Sequence, residues 1–241
     1  MTMRVLHSRQ QVTEARREMV ARKISGVDES VSGKAKRLLK RAGVNDLMVM
    51  GDHIKSWDVL ETIRLIQERL GQNDPVLDIG CYCSEVLVSL HKLGYRNLTG
   101  VDLNPDVSKM PFNDAIRYTI SDFMKTPFQD ETFSAITSIS VIEHGFDGPR
   151  LFAEISRILK TGGVFTASVD YWPDKIDTSS TRFFGMDWLI FSQEDVKALV
   201  DEAGKHGLRP VGELRFEGQE RAVRHGGYEY TFAWLALEKR P

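Results

Sequence analysis

The stretch that most constrains the fold lies at residues 75–85, where a short apolar run ends in a tight turn. Val76, Leu77 and Ile79 stand between a proline and a glycine, which indicates a buried parallel strand that stops at Gly80. A chain with such a strand and turn is expected to build an α/β sheet around it.

This strand and turn lead into a helix and a second strand. The helix is predicted to begin at Ser84 and to stop at Gly94, since apolar residues recur between them at helical spacing. The second strand, residues 98–101, ends in Asp102. This succession is typical of a nucleotide-binding unit, in which the turn's backbone approaches the ligand and the carboxylate accepts from ribose hydroxyls.

The residues of the turn argue against a dinucleotide. A pyrophosphate would need glycines at positions 82 and 85, where the chain has Tyr82 and Glu85. The carboxylates of Asp78 and Glu85 would also repel a phosphate and favour a cation. A dehydrogenase is therefore disfavoured.

Residues 78–84 resemble the first motif, D-x-G-x-G-x-G, of class I S-adenosylmethionine-dependent methyltransferases, with Tyr82 and Ser84 in place of two glycines. Further segments resemble the family in motif order over about residues 52–241. Residues 126–133 are similar to the family's lead-in to its fourth strand, and residues 140–145 to its "x-v-x-E-H" segment.

The resemblance implies S-adenosylmethionine as the cofactor and assigns residues to it. In the family, an acid at the end of the third strand receives the adenine amino group and its neighbour packs on the ring, roles that Asp122 and Phe123 match. The expected cofactor-binding residues are Asp78, Gly80, Cys81, Tyr82, Asp102, Leu103, Asp122, Phe123 and Ser140.

Methyl transfer from a sulfonium is an in-line displacement, so an enzyme mainly aligns donor and acceptor and excludes water. His144 is the candidate catalytic base because a neutral imidazole accepts a proton near pH 7. Glu143 is expected either to orient His144 or to bind a cation. A structural hydrogen bond or a metal contact stays open for His144, although no metal is expected in the site.

The acceptor is expected near residues 170–191, a long aromatic segment that serves either as a lid or substrate wall or as an aromatic cluster beneath a surface loop. Basic residues at 221–225 are either rim charges or substrate contacts. The expected acceptor-binding residues are Tyr171, Trp172, Trp188 and Arg221.

The patterns predict an α/β fold, and the resemblance implies its form: a seven-stranded, mostly parallel Rossmann-like methyltransferase sheet with an antiparallel last strand, to which the chain adds an N-terminal helical extension. The strands at about 208–216 and 228–238 are expected to be antiparallel, because residues 217–227 are too short for a crossover helix. The first helix is predicted at about 13–24 with Thr13 as its cap. Residues 1–50 are predicted to be a basic helical extension and residues 51–241 the methyltransferase domain.

Charge and composition indicate which partners and which cellular location are expected for the protein. The net charge is −2, but residues 1–43 carry 11 Lys or Arg against 4 Asp or Glu. These basic helices are either a solvated surface or a contact for an acidic partner, a substrate tail, the chain's own body or a second subunit. The longest apolar run has six residues, so no membrane span or signal peptide is expected and the protein is predicted to be cytoplasmic.

The sequence thus predicts a methyltransferase acting on a small-molecule or glycan-like acceptor, at oxygen. A catalytically degenerate cofactor-binding scaffold subunit is the alternative, because two glycines of the first motif are replaced. A nucleic-acid substrate is disfavoured, because base-modifying members of the fold carry an Asn/Asp-Pro-Pro-Tyr/Phe-like segment where this chain has Ser-Val-Ile-Glu at 140–143.

Overall fold

The structure is a computed structural model that describes residues 3–27, 30–41, 48–183 and 185–241. Parts of the predicted N-terminal extension, residues 1–2, 28–29 and 42–47, therefore lie outside the described residues. In the described ranges no helix is long and apolar enough to cross a membrane.

The described residues form six α-helices and eleven strands. The helices are Arg9–Ala21 (α1), Val31–Arg41 (α2), Ser56–Arg69 (α3), Val86–Lys92 (α4), Gly148–Ile158 (α5) and Gln193–Lys205 (α6). The strands are Met3–Val5 (β1), Val76–Ile79 (β2), Leu98–Asp102 (β3), Arg117–Ile120 (β4), Phe133–Ile139 (β5), Leu159–Tyr171 (β6), Arg182–Phe183 (β7), Met186–Asp187 (β8), Leu208–Pro210 (β9), Val223–His225 (β10) and Tyr228–Lys239 (β11). Short 3-10 turns lie at His53–Lys55, Pro105–Lys109 and Ile142–His144.

The central sheet has the predicted mostly parallel architecture. Its strand order is β1-β11-β6-β5-β2-β3-β4, and the neighbours from β6 to β4 run parallel. The last strand, β11, is antiparallel to β6, as predicted. The prediction of an α/β methyltransferase-type sheet with a reversed last strand is confirmed.

The edge beyond β11 differs in detail from the predicted one. β9 ends at Pro210 rather than near residue 216, and β1 pairs with β11 through Met3 opposite Leu235. Three residues are too few for an alternating pattern to stand out in a sequence, so β1 was not predicted. The N-terminal strand therefore belongs to the same sheet as the predicted methyltransferase domain, and the predicted division at residue 50 stays a prediction.

The first helix begins earlier than predicted. Its cap is Ser8, whose hydroxyl accepts from the Gln11 N–H while the Gln11 side chain accepts from the Ser8 N–H. This reciprocal pair is a capping box, which satisfies two backbone donors at once. Thr13, the predicted cap, lies inside the helix and its hydroxyl donates to the Arg9 carbonyl.

Apolar side chains cover both faces of the sheet. On one face α1, α3 and α4 contribute Met19, Ile63 and Leu90, and on the other α5 and α6 contribute Phe152 and Val196. All five are buried. Because the helices occupy the two faces, ligands reach the sheet at the carboxyl ends of its parallel strands.

Candidate functional site

The turn after β2 places a glycine, Gly80, at the carboxyl ends of the central strands. Gly80 has a φ of +65°, and its N–H donates to the Val101 carbonyl at 2.9 Å. A Cβ at this position would lie 2.4 Å from Cγ2 of Val141. Glycine is therefore required here both for the left-handed backbone and for the close approach of the segment that follows β5.

Two neighbouring cavities open beside this turn. The first, of about 440 Å³, lies between residues 49–59 and residues 80–85, and the second, of about 550 Å³, extends over Asp102 and His144. Gly80, Tyr82 and Ser140 line both of them. Each volume falls within the range of about 300–1,000 Å³ that is typical of small-molecule sites.

Asp102 at the end of β3 orders the turn and lines the second cavity. One carboxylate oxygen accepts from the Tyr82 N–H at 2.9 Å and the other from the Asn104 N–H at 2.8 Å. An ionised carboxylate has about four acceptor positions, so two remain for a ligand. Such positions suit the hydroxyl groups of a ribose.

Tyr82 stands where the first motif of the resembled family has a glycine. Tyr82 lines both cavities. Burial raises the pKa of Tyr82, so its phenol is neutral at physiological pH. A neutral phenol at this position adds no charge to either cavity.

The predicted cofactor residues fall into two groups. Those that line the second cavity are Gly80, Tyr82, Asp102, Leu103, Phe123 and Ser140. The other three, Asp78, Cys81 and Asp122, line neither cavity. Their predicted part in binding stays a prediction.

The surroundings of these three residues explain their positions. Asp78 is buried and accepts from the Thr137 hydroxyl at 2.6 Å, and burial raises its pKa to about 7 although Thr137 and Ser84 oppose the rise. Cys81 is fully buried. Asp122 accepts from the Met124 N–H at 2.8 Å. Asp78 therefore joins β2 to β5 beneath the turn.

Glu143, a predicted catalytic residue, lies behind Ser140. Ser140 has a φ of +58°, unusual for a residue with a side chain, and its hydroxyl donates to Oε1 of Glu143 at 2.5 Å. Glu143 is fully buried, and burial together with the nearby Asp170 raises its pKa to about 8, against the opposing effects of Lys55 and Ser140. Glu143 therefore carries a proton at neutral pH. Its hydrogen bond with Ser140 holds that residue in place where it lines both cavities.

His144, the predicted base, lines the second cavity. Its ring meets Phe183 edge to face at 6.4 Å between centroids. Burial lowers the pKa of His144, with Lys55 and His225 adding to the decrease and Asp170 opposing it. The imidazole is therefore neutral at pH 7, the form that can accept a proton.

A buried charged cluster around Lys55 was not predicted from the sequence. The Lys55 ammonium lies 3.3 Å from Oδ1 of Asp170, 4.0 Å from Oδ2 of Asp58 and 3.4 Å from the centroid of the Phe232 ring. Burial raises the pKa of Asp58 to about 6 even though Lys55 opposes the rise. Burial lowers the pKa of Lys55, but the surrounding carboxylates more than offset this and leave it raised.

No periodic pattern or motif in the sequence marks this cluster, because it joins α3, β6 and β11. Lys55 also lines the first cavity, so the cluster supplies a fixed cation at its wall. In the part of the chain that the structure describes, no group of three or more His, Cys, Asp or Glu side chains is arranged to hold a metal ion.

The predicted acceptor residues do not share one wall. Trp188 lines a third cavity of about 610 Å³, which Glu143 and Gly145 also line, and its Nε1–H donates to Asp170 at 2.9 Å. Arg221 lies over the Trp172 ring, 4.5 Å from its centroid. Tyr171 is buried and its hydroxyl donates to the Phe216 carbonyl at 2.8 Å. Of these four residues, Trp188 is the one beside the candidate site.

The aromatic segment combines features of both predicted arrangements. Tyr171, Trp188 and Phe191 are buried, whereas β7 and β8 form a small hairpin over the site. Met186 in this hairpin lines the second cavity. Phe183 lies 5.0 Å from Trp188 between ring centroids. An aromatic cluster thus supports a hairpin that borders the second cavity.

Residues 77–167 match the family model of a methyltransferase domain. The chain is 31% identical over 98 residues to a sterol 24-C-methyltransferase of Gibberella zeae, a match that covers 37% of this chain and 26% of the relative. The chain thus spans about a quarter of the length of that curated relative.

Two solved structures share the fold. A proposed sarcosine dimethylglycine methyltransferase of Galdieria sulphuraria superposes with a TM-score of 0.61 at 16% identity, covering 86% of this chain and 98% of the other. The geranyl diphosphate C-methyltransferase of Streptomyces coelicolor A3(2) superposes with a TM-score of 0.57 at 17% identity, covering 83% and 87%. The latter was solved in complex with Mg²⁺, geranyl diphosphate and S-adenosyl-L-homocysteine.

Proposed function

We propose that the protein is a class I methyltransferase that transfers the methyl group of S-adenosylmethionine to a small-molecule or glycan-like acceptor, with oxygen as the acceptor atom. The match of residues 77–167 to the family model of a methyltransferase domain supports this proposal. The observation that carries the proposal is the second cavity, where Asp102 keeps two acceptor positions for ribose hydroxyls beside the predicted base His144. Six of the nine predicted cofactor residues and the predicted base thus line one cavity.

Each part of the site has a separate task in this proposal. Asp102 and Phe123 hold the nucleoside end of the cofactor, and the first cavity receives its amino-acid end near Lys55. When bound, the cofactor supplies an already activated methyl group, so alignment and exclusion of water are the main requirements. The hairpin of β7 and β8 lies where it can restrict water.

The proposed step requires one proton acceptor. As the carbon–oxygen bond forms, the methyl–sulfur bond breaks and its electron pair stays on sulfur, while the acceptor's hydroxyl proton moves to the imidazole of His144. Neutral His144 can accept this proton. Protonated Glu143 does not compete for it, and instead keeps Ser140 in place.

The third cavity is the proposed entrance for the acceptor. It shares Gly145 with the second cavity and combines apolar walls, such as Trp188, with polar residues such as Thr178. An acceptor with an apolar body and a few hydroxyl groups fits such a lining. A carbon acceptor is the second candidate, because the sterol and geranyl diphosphate relatives are named as C-methyltransferases.

A scaffold subunit that binds the cofactor without transferring its methyl group is a further candidate, which the tyrosine between the two cavities favours. A second subunit or another protein at the basic N-terminal helices, and a location in the cytoplasm, likewise stay proposals. They rest on the charge pattern of the sequence.

The cofactor part of the proposal is tested by titrating the protein with S-adenosylmethionine in a calorimeter. We expect one site per chain and a melting temperature that rises with cofactor concentration, because a ligand of the native state stabilises it. A titration that reaches millimolar cofactor without heat or a thermal shift would rule the proposed function out.

The transfer part is tested with radiolabelled methyl cofactor and fractionated small molecules and glycans of the source cell. Analysis of the labelled product by mass and NMR distinguishes an O-methyl from a C-methyl group. We expect His144→Ala to bind the cofactor normally and to lose about 10²- to 10⁴-fold in rate, the usual contribution of a general base. Binding without label in any fraction would favour the scaffold subunit.

A further inference from the structure

Glu85 follows the turn at the N-cap position of α4, and its carboxylate accepts hydrogen bonds from separate parts of the chain. Its carboxylate accepts from both terminal nitrogens of Arg16, at 2.8 and 2.5 Å, and from the N–H groups of Gly26 and Val27, at 2.9 and 3.1 Å. The Ser25 hydroxyl adds a bond of 3.5 Å. Four of these five bonds end on Oε2 and one on Oε1, so the protein itself holds the carboxylate of Glu85 in place.

Arg16 in α1 has further partners on the other side of the first cavity. Its Nε–H donates to the Ser56 hydroxyl at 2.9 Å, and Nη2 donates to the Asp52 carbonyl at 3.4 Å. Arg16 is 8% exposed and Glu85 is 2% exposed. One buried guanidinium thus joins the turn at 80–85 to the segment at 49–56.

These two segments form opposite walls of the first cavity. Gly51 and Asp52 belong to one wall and Tyr82 and Glu85 to the other. The walls are in direct contact, since the Gly51 N–H donates to the Cys83 carbonyl at 2.8 Å and a Cβ on Gly51 would lie 2.4 Å from Cγ of Glu85. The spacing of the walls therefore depends on where Glu85 is held.

We propose that Arg16 is a positioning residue for the cofactor site: through its two-point ion pair with Glu85 it holds residues 49–55 over the turn and sets the width of the first cavity. Arg16 is not among the residues that line this cavity, so it acts through Glu85 and Asp52. The inference rests on the proposed function, which places the amino-acid end of S-adenosylmethionine in this cavity.

Loss of the guanidinium would change the cavity in two ways. The buried Glu85 carboxylate would lose the positive charge that compensates it, so water or cations would enter to solvate it. The Asp52 backbone would lose a donor, so the two walls would separate. Both changes weaken cofactor binding while the residues proposed for the transfer step keep their contacts.

The test compares Arg16→Gln and Arg16→Lys with wild type and with Arg17→Gln, the exposed neighbour on the same helix. Titration with S-adenosylmethionine is expected to show a Kd about tenfold or more higher for Arg16→Gln, with the number of sites still near one, since misplaced binding groups cost affinity of this order. Arg16→Lys should be intermediate, because an ammonium cannot make the two-point contact. Arg17→Gln should match wild type.

The number of sites separates positioning from simple destabilisation. A variant that is merely less stable would bind at fewer sites per chain with an unchanged Kd, and that result, or wild-type affinity in folded Arg16→Gln, would overturn the proposal. Should Arg16→Gln fail to fold, Arg16→Lys decides alone, and wild-type affinity in it would overturn the proposal too. Absence of binding by the wild type would instead contradict the proposed function.

Discussion

At the scale of single residues, the site places a neutral histidine next in sequence to a protonated glutamate. His144 lines the second cavity with its pKa lowered by burial, and Glu143 next to it in sequence is fully buried with its pKa raised to about 8. Burial favours the uncharged form of both side chains, which is the proton-accepting form of histidine but the protonated form of glutamate. This difference assigns proton transfer to His144 and support of Ser140 to Glu143.

The raised pKa of Glu143 predicts a pH-dependent stability. An unfolded glutamate titrates near 4.5 and the folded one near 8, so the contribution of neutral Glu143 is complete below pH 4.5 and is lost as pH rises to 8. We expect the unfolding free energy of wild type, relative to Glu143→Gln, to fall over this range by at most about 1.4 kcal/mol per pH unit. Urea denaturation of both proteins from pH 4.5 to 9 measures this, and a constant difference would contradict the buried, protonated state.

Asp102 predicts an effect on cofactor affinity. Its carboxylate accepts two backbone N–H groups of the turn and has further acceptor positions at the second cavity. Since a hydrogen bond to a charged group contributes about 1.5–3 kcal/mol, we expect Asp102→Ala to raise the Kd for S-adenosylmethionine roughly 10- to 100-fold. Calorimetric titration compares it with Asp106→Ala, a carboxylate paired with Lys109 at the surface. Equal losses in both variants would count against a specific role of Asp102.

At the scale of elements, the start of α1 determines where Arg16 lies. The capping box of Ser8 and Gln11 begins the helix at Arg9, which places Val12, Ala15, Arg16 and Met19 on its buried face. A helix that began only after Thr13 would leave Val12 outside the helix. The cap thus contributes to the register in which the guanidinium reaches Glu85.

Two substitutions distinguish the observed cap from the predicted one. Ser8→Ala removes the capping oxygen and is expected to lower the unfolding free energy by about 1 kcal/mol. Thr13→Ala replaces a β-branched residue inside the helix by the best helix former, so it should be neutral or slightly stabilising. Thermal denaturation of both variants provides the measurement, and the opposite order of stabilities would show that α1 starts near Thr13.

At the scale of the whole molecule, the N-terminal residues are part of one core. β1 pairs with β11, and Leu6, Val12, Met19 and Ile24 are buried in the same cluster as α3 and α4. The predicted domain boundary at residue 50 would separate these side chains from the surface they cover. It would also separate Arg16 from Glu85.

A chain of residues 51–241 alone tests that boundary. Burying each of those four apolar side chains contributes about 1.5–3 kcal/mol, so together they approach the whole stability of a typical domain. We expect the shortened chain to lack a cooperative thermal transition by circular dichroism, with the full chain as the control. A transition at the temperature of the full chain would show instead that residues 1–50 are a separate extension.

The parts of the fold that follow from local pattern were predictable. β3 begins at Leu98 and ends at Asp102 as predicted, and β2 ends just before Gly80, where the apolar run stops. These features depend on residues a few positions apart, whose spacing the sequence displays directly. The shortness of residues 217–227 predicted that the two strands it joins are antiparallel, and β9 and β11 do pair in this way.

The sequence by itself determined the strand, turn and helix around Gly80, the parallel sheet and the cofactor class that the motif order implied. The tertiary structure alone decided which charges meet: Arg16 and Glu85 are 69 residues apart, and Lys55 and Asp170 are 115 apart. Periodicity records contacts between neighbours in the chain, whereas a buried ion pair forms wherever packing excludes water from two distant segments. The sequence does not show which basic residue of the N-terminal helices pairs with Glu85. Arg16 does so because it lies on the buried face of α1.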